Sequence, residues 1–464
     1  MKVAFSRVNI TPKEFIGKSM AGYTRKDSCC GKLDDIHAYG VLIGNNSLNK
    51  EYLLLISLDT LKIPLSIGNY FKYKIKTAFP LLKLHNIIIH ATHTHSSLDL
   101  TGEFYWPGAF FNVIKGIMFG MNRNDKFIIW LSYKIGNMVK NLFNNLESCK
   151  IALKSKKFNS NIVINRRHPE RKVQPNLIIL VFKSLQTNQL NGILINYACH
   201  PTTLSFKNNK LSADYPGRII YRINKLSNHT ISTIYFNGPS GDLNPITTCG
   251  IDFEKLSQDK SQIYDQLGDY NDTIRIGNSI AEEALELAKS IPESEFFDDI
   301  KFQVFKREFL VPMKDYKYFT KIWFVNKLYF SIKKYFILKF SKAKIQNANF
   351  PIFLLRRRKL KLFCESLVQF IKLKATSEAK SIEFGIMTIP GELFEDIGKN
   401  LIKGSPTKDS TFIFQNSQDW IGYLFPVKEY IQEGGYEPVP SFSPLCGYYV
   451  VKEMKNLLNT IRKS

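Results

Sequence analysis

At 464 residues the chain is long enough for one large domain or for two or three smaller ones. An apolar content of 44% with 35 phenylalanines suits a substantial core and excludes a globally disordered protein. The seven cysteines are odd in number and form no C-x-x-C pair, which argues for free thiols in a reducing compartment and against a disulfide framework.

The N-terminus enters a strand-like pattern at once and lacks the apolar core of a secretion signal. No segment reaches the roughly 18 uncharged apolar residues that a transmembrane helix needs. We therefore expect a cytoplasmic protein, attached to a membrane peripherally if at all.

Strand-like and helix-like segments alternate along the chain. Strands are predicted at 3–10, 38–43, 51–59, 87–89, 177–183, 191–198, 233–236, 300–311, 382–389 and 411–415, and helices at 64–80, 125–147, 275–291 and 393–403. Residues 106–121 are apolar and interrupted by glycine, which is typical of a lid or a pocket wall. The alternation predicts an α/β fold, with mixed β-sheets flanked by helices.

The net charge of +24 is concentrated in one stretch. Residues 314–374 contain sixteen Lys/Arg against two acidic residues, or +14 of the total. Within it, aromatic side chains alternate with lysines over 316–372, a pattern that suits attachment to an anionic membrane surface. A solvated basic insertion remains an alternative. Nucleic-acid binding would need the same charges, but no recognition motif supports it.

Two histidines follow a β-branched apolar run, Ile87 to Ile89. If the chain is still extended there, His93 and His95 point to the same face, because residues two apart in a strand do so. Two imidazoles at that spacing are a common start of a metal site. The alternative is a pair of polar residues that cap a strand.

Other chemically versatile residues also stand at strand ends. His200 ends the strand 191–198, and a Gly-rich loop at 237–245 follows the strand 233–236. Glu392 follows the strand 382–389. Each of these residues alone has a structural explanation, such as a carboxylate at the start of a helix. Together they predict functional groups gathered at the ends of strands.

Taken in order, the motifs resemble a known family. They are Thr92-His93-Thr94-His95-Ser96, Asn165-Arg166, His200-Pro201-Thr202, Gly241-Asp242-x-x-Pro245, Pro390-Gly391-Glu392, and a segment from Gly422-Tyr423 through Glu429-Tyr430 to Tyr436-Glu437. The set resembles the catalytic domain of the neutral/alkaline, non-lysosomal ceramidase family, from about residue 3 to residue 455. The resemblance implies one large domain over 1–464, without the family's C-terminal immunoglobulin-like domain.

The resemblance also implies roles for single residues. It places zinc on His93, His200, Glu392 and Tyr430, and it puts His95, Arg166 and Asp242 in the active site. Judged from the residues alone, Tyr430 competes with Tyr423 and Tyr436. Two imidazoles and a carboxylate are ordinary ligands of catalytic zinc, whereas a tyrosine is unusual because its phenol needs the metal to lose its proton.

The implied activity is hydrolysis of the amide bond of an N-acyl lipid such as ceramide. Zinc would polarise the amide carbonyl and lower the pKa of a bound water. Either Arg166 or His95 would hold the developing oxyanion, a contribution of roughly 3–4 kcal/mol per donor.

One residue departs from the family pattern. The family has a serine in Gly-Asp-x-Ser-Pro, where this chain has Asn244. Asparagine can donate a hydrogen bond but cannot act as a nucleophile or pass on a proton. We favour Asn244 as a residue that orients substrate or oxyanion. The alternatives are a substrate other than ceramide, or a catalytically weakened, membrane-binding relative that keeps the fold.

Overall fold

The structure is a computed structural model that describes residues 1–23, 25–45, 50–102, 104, 124–247, 267–312, 363–438 and 440–463. Its α/β architecture of mixed sheets flanked by helices confirms the predicted fold class. The suggested lid at 106–121 and most of the basic segment 316–372 lie outside the described residues. Membrane attachment through that segment therefore stays a prediction.

The described elements follow one another along the chain. The strands are β1 (Lys2–Asn9), β2 (Gly31–Lys32), β3 (His37–Gly44), β4 (Tyr52–Leu58), β5 (Ile87–Ala91), β6 (Glu147–Lys157), β7 (Val163–Asn165), β8 (Asn176–Ser184), β9 (Leu190–Tyr197), β10 (Lys210–Leu211), β11 (Ser232–Asn237), β12 (Leu243–Pro245), β13 (Asp299–Pro312), β14 (Phe363–Thr376), β15 (Ser381–Thr388), β16 (Glu392–Leu393), β17 (Thr411–Phe414) and β18 (Tyr423–Leu424). The helices are α1 (Leu65–Ala78), α2 (Asp125–Asn144), α3 (Asp214–Leu226), α4 (Tyr270–Lys289), α5 (Glu395–Lys403), α6 (Val427–Glu433) and α7 (Cys446–Lys463).

An eight-stranded sheet, in the order β11-β9-β8-β6-β1-β3-β4-β5, forms the centre of the fold. Its two outermost pairs, β11 with β9 and β4 with β5, are parallel, and the pairs between them are antiparallel. Parallel neighbours end at the same edge, so the loops after β4 and β5 are adjacent, as are those after β9 and β11.

A second sheet, β13-β14-β15-β17, packs beside the first. The junction is an aromatic stack: the rings of Phe236 in β11 and Phe414 in β17 lie 4.0 Å apart and nearly parallel. Next to it, the backbone N–H of Gln415 donates to the carbonyl of Asn237. The chain after β17 then accepts from the end of β5, where Ala91 N–H donates to the carbonyl of Asn416. These contacts bring the strand ends of both sheets to one place.

The central strands are apolar on both faces. In β3, Val41 belongs to a core with α3, α4 and the second sheet, whereas Leu42 belongs to a core with α1 and α2. A third core joins the second sheet to α5 and α7. Strands covered on both sides read as continuous apolar runs, which is why the sequence pattern locates them well. Within the described residues no helix is long and apolar enough to cross a membrane.

Three of the longer elements differ from the sequence prediction. The strand β6 was not predicted, because seven of its 11 residues are charged or polar and it follows directly on a helix. The end of the basic stretch, 363–374, lies in β14 between β13 and β15. The helix α7, which follows the last of the sequence motifs, was not predicted.

Candidate metal centre

Three loops at strand ends deliver the candidate ligands. His93 and His95 follow β5, His200 follows β9, and Glu392 begins the short strand β16 after β15. All four side chains are buried, with 1–8% of their surface exposed. The structure therefore brings together residues almost 300 positions apart in the sequence.

The chain at His93 is not extended, because β5 ends at Ala91 and His93 has a φ of 68°. A left-handed conformation is uncommon for a residue other than glycine and needs support from its surroundings. That support comes from the loop after β4. The N–H of His93 donates to the carbonyl of Thr60 (2.9 Å), and its ring Nδ1 donates to the carbonyl of Leu61 (2.6 Å).

The backbone carbonyls define which ring nitrogens carry protons. A carbonyl can only accept, so Nδ1 of His93 is the protonated nitrogen, and so is Nδ1 of His200, which contacts the carbonyl of Ser240 (3.1 Å). In the neutral rings both Nε2 atoms then keep a lone pair. A backbone acceptor on one ring nitrogen is the usual support of a histidine that binds metal through the other.

The Nε2 atoms converge on one carboxylate oxygen. Glu392 Oε2 lies 3.3 Å from His93 Nε2 and 3.5 Å from His200 Nε2. One nitrogen from each of His93, His95 and His200 lies within 4.8 Å of the others. Ligand atoms placed tetrahedrally about 2.0–2.2 Å from one zinc ion are about 3.3–3.6 Å apart, so the observed spacings suit such an ion.

The protonation states also suit a cation. Burial alone would raise the pKa of Glu392, but His93 and His200 counteract it and lower that pKa to about 2. Burial, aided by His93, lowers the pKa of His200 to about 3. Burial, aided by His93 and His200, lowers the pKa of His95 well below its usual range. The centre thus presents a carboxylate at Glu392 and neutral imidazoles at His95 and His200 at physiological pH.

Two of these atoms are buried without a hydrogen-bond partner. They are His93 Nε2 and Glu392 Oε2. Leaving a buried acceptor unsatisfied costs about 1–3 kcal/mol, and more where the group is charged. A metal cation bound between the two atoms would satisfy both, so the chemistry of the donor set fits one.

His95 is surrounded differently from His93 and His200. Its Nε2 lies 3.3 Å from that of His200, and its Nδ1 is buried without a hydrogen-bond partner. One face of the ring contacts Gly22, where an added Cβ would lie 2.5 Å from the ring. The Tyr23 ring lies 4.6 Å away, and the guanidinium of Arg25 donates to the His95 carbonyl (2.6 Å). The segment after β1 therefore fixes His95 from one side.

Arg166 follows β7 and is buried in the same cavity. Its guanidinium donates to Glu437 (3.0 Å) and makes a long contact with Asn244 Oδ1 (3.5 Å). It also lies 5.2 Å from the rings of Tyr423 and Tyr436. Because an arginine is always charged, this group places a fixed positive charge and an amide beside the histidine cluster.

Asp242 supports the centre without lining the cavity. Its carboxylate accepts from the side chain of Asn165 (2.8 Å) and from the backbone N–H of Glu395 (2.7 Å), and its carbonyl accepts from Arg166 N–H (2.9 Å). Burial raises the pKa of Asp242 to about 6. The residue connects the Arg166 loop to the chain that follows Glu392, so its place in the structure is that of a positioning residue.

The structure does not bring Tyr430 to the cavity. It packs in α6 with its ring 5.6 Å from that of Phe425. The tyrosine near the carboxylate is Tyr423 in β18, which pairs in register with Glu392 in β16 and whose ring stacks 6.4 Å from that of His200. Of the three tyrosines considered from the sequence, Tyr423 and Tyr436 line the cavity.

The cavity has a volume of about 340 Å³, which lies within the range of small-molecule sites. Its polar lining is formed by His93, His95, Arg166, His200, Asn244 and Glu392. Its aromatic and apolar lining includes Tyr23, Phe104, Phe206, Trp420, Tyr423 and Pro440. A polar centre beside apolar walls suits a ligand that has one reactive polar group on an apolar body.

The described chain is thus an α/β protein with a buried His/Glu centre at its strand ends. Its fold matches that of a neutral ceramidase from Pseudomonas aeruginosa, with a TM-score of 0.68 at 14% identity over 100% of this chain and 74% of that one. It also matches a ceramidase complexed with C2, with a TM-score of 0.69 at 13% identity over 100% of this chain and 75% of that one. No protein-family model and no curated protein matches the sequence. The predicted resemblance is confirmed at the level of the fold.

Sequence reasoning did not single out Trp420, Arg25 or the role of Gly22. The Trp420 indole N–H donates to Glu392 Oε1 (2.9 Å), a contact across 28 positions. No local periodicity marks such residues, because their partners lie in other loops.

We expect Gly22→Ala to destabilise the protein and displace His95. Gly22 has a φ of 98°, and the new Cβ would overlap the imidazole. The strained conformation alone costs on the order of 1–3 kcal/mol. The measurement is the free energy of unfolding in urea. Gly136→Ala in α2 is the matched control, since open space surrounds that position and alanine favours a helix by roughly 0.5–1 kcal/mol. Equal stability of the two variants would contradict the close packing at His95.

Proposed function

We propose that this chain is a zinc-dependent amidohydrolase that cleaves the amide bond of an N-acyl lipid of the ceramide type. One observation carries the proposal: His93 Nε2 and Glu392 Oε2 are buried 3.3 Å apart, and neither has a hydrogen-bond partner. The fold, shared with neutral ceramidases at 13–14% identity, supports the same class of reaction.

Each group in the cavity has a separate role in the proposed amide hydrolysis. When bound, zinc supplies Lewis-acid polarisation of the carbonyl and activation of water. Arg166 presents a permanent positive charge toward the oxygen of the amide as negative charge develops there, and preorganised donors of this kind contribute about 3–4 kcal/mol. His95, held neutral by burial, lies beside the metal ligands with an unpartnered Nδ1 that suits it to hydrogen-bond substrate.

The metal ligands in this proposal are His93, His200, Glu392 and one tyrosine. Tyr423 is our choice for that tyrosine, because it pairs in register with Glu392 and lines the cavity. Tyr430, which the family resemblance implied, lies behind the ring of Phe425. The Tyr423 hydroxyl also lies 3.1 Å from that of Tyr436, which would donate a hydrogen bond to Tyr423 in its deprotonated, metal-bound form.

The substrate follows from the walls of the cavity. Phe104, Phe206, Trp420 and Pro440 offer apolar contacts to an acyl chain next to the polar centre. The basic segment 316–372 would bring the enzyme to an anionic membrane surface from which such a lipid is drawn. The membrane role rests on the sequence alone.

The alternative is a catalytically weakened relative that keeps the fold and binds membranes. Its supporting observation is Asn244, which stands in place of the serine in the resembling family and lines the cavity. The two proposals differ in what they predict for zinc content and for hydrolysis, and the experiments below separate them.

The purified chain should contain zinc in a 1:1 ratio, measured by elemental analysis after dialysis. We expect His93→Ala to lower the zinc affinity by more than about 100-fold, because it removes a direct ligand. His85→Ala replaces an exposed histidine and should leave the zinc content unchanged. A wild-type protein without stoichiometric zinc, or a His93→Ala protein that retains it, would remove the basis for a zinc hydrolase.

Tyr423→Phe and Tyr430→Phe form a matched pair, since each removes only a hydroxyl. We expect Tyr423→Phe to weaken zinc binding by about 10–100-fold and Tyr430→Phe to leave it unchanged. Competition with a chromophoric chelator measures both affinities. Weaker zinc binding in Tyr430→Phe and unchanged binding in Tyr423→Phe would instead identify Tyr430 as the fourth ligand.

Release of fatty acid from ceramide tests the substrate and the role of Asn244 together. If Asn244 orients the substrate, wild type hydrolyses ceramide and Asn244→Ser changes kcat/KM by less than about tenfold, since either side chain offers a hydrogen-bond donor. Activity in the serine variant alone would instead identify wild type as a weakened relative. Zinc binding without hydrolysis in either protein would point to another N-acyl substrate.

A further inference from the structure

The two oxygens of the Glu392 carboxylate have different surroundings. Oε1 accepts a hydrogen bond of 2.9 Å from the indole N–H of Trp420, whereas Oε2 faces His93 and His200 without a hydrogen bond. Both side chains are buried, with 2% of Glu392 and 8% of Trp420 exposed. One oxygen is therefore held by the protein, and the other is directed at the place where the metal ligands converge.

A buried lysine lies over the indole. Lys62 Nζ is 4.1 Å from the centre of the Trp420 ring and 5.3 Å from that of Phe104, and only 5% of Lys62 is exposed. A cation over the ring face attracts the π electrons and so makes the indole N–H a stronger donor. Lys62 also follows Leu61, whose carbonyl accepts from His93 Nδ1. The short loop after β4 thus contacts His93 directly through Leu61, and Glu392 indirectly through Lys62 and Trp420.

The backbone on either side of the indole is fixed. Asp419 accepts hydrogen bonds from the N–H groups of Trp420 (2.7 Å) and Leu65 (2.8 Å) and from the hydroxyl of Ser366 (2.9 Å). In the other direction, Glu392 N–H donates to the carbonyl of Gly422 (3.0 Å). These hydrogen bonds hold the backbones of Trp420 and Glu392 in place. They thereby fix the contact between the indole N–H and Glu392 Oε1.

We propose that Trp420, with Lys62 stacked on it, is a positioning residue that restricts Glu392 to binding the metal through Oε2 alone. The inference rests on the proposed zinc centre. It adds a residue that determines through which oxygen the Glu392 carboxylate binds the metal. A carboxylate with two free oxygens can bind a metal through both, whereas an oxygen engaged by an N–H donor stays out of the coordination shell. Partners of this kind usually contribute about 10–100-fold to metal affinity.

Trp420→Phe removes the N–H and keeps an aromatic ring, and Lys62→Met removes the charge and keeps an unbranched apolar stem. For the purified full chain, we expect the zinc Kd to rise about 10–100-fold in Trp420→Phe. In Lys62→Met we expect a rise of about two- to fivefold. Trp130→Phe in α2, remote in the chain from the ligands, is the control and should match wild type. Circular dichroism and thermal unfolding report whether each variant is folded.

A second measurement separates positioning from a general loss of structure. In the cobalt(II)-substituted protein, the intensity of the visible absorption falls when a tetrahedral site gains a fifth ligand atom. We expect that fall in Trp420→Phe, as Oε1 joins Oε2, but not in Trp130→Phe. A wild-type zinc Kd and an unchanged cobalt spectrum in Trp420→Phe would overturn the inference and leave the proposed function intact. A wild-type chain that binds no zinc would overturn both.

Discussion

The centre depends on one buried carboxylate that faces two imidazole nitrogens. Moving a carboxylate out of water is costly, and the cost is offset only by opposite charge or by hydrogen bonds to both oxygens. Glu392 has a hydrogen bond on Oε1 from Trp420, yet its Oε2 has none. The burial of this oxygen between His93 and His200, without a hydrogen bond, is compatible with a cation at that place. The three loops must therefore meet with an accuracy of tenths of an ångström.

Both sheets contribute to that accuracy. The histidines come from the edges of the eight-stranded sheet, and Glu392 comes from the chain that follows the four-stranded sheet. The stack of Phe236 on Phe414 and the backbone contacts beside it join the two sheets within a few residues of the ligands. Because stacked rings in a close-packed core tolerate little displacement, this junction fixes the position of one sheet relative to the other. Carbonyl groups in the loops that follow β4 and β11 orient the imidazoles of His93 and His200.

The sequence allowed prediction of the parts of the site that stand at the ends of apolar runs. His93, His200 and Glu392 each follow a strand whose β-branched and aliphatic residues mark it clearly. What the sequence did not determine is contact between loops. Tyr423 and Tyr430 are seven positions apart, and the residues alone favour neither of them as a metal ligand. Only the pairing of β16 with β18 puts Tyr423 beside Glu392. The left-handed turn at His93 likewise depends on carbonyls from the β4 loop, which no local pattern reveals.

The amide of Asn244 can be oriented from its neighbour. A guanidinium only donates, so the atom of Asn244 that faces Arg166 at 3.5 Å is the oxygen. The Nδ2 group is then available to donate to a ligand in the cavity, at the position where the resembling family presents a hydroxyl. A donor at this place can stabilise a developing oxyanion, but it cannot relay a proton. If the chain hydrolyses amides, proton transfer must therefore fall to another group, and His95 has a buried nitrogen without a hydrogen-bond partner. Asparagine in place of serine would then leave the proton transfers of the proposed reaction to the histidine cluster.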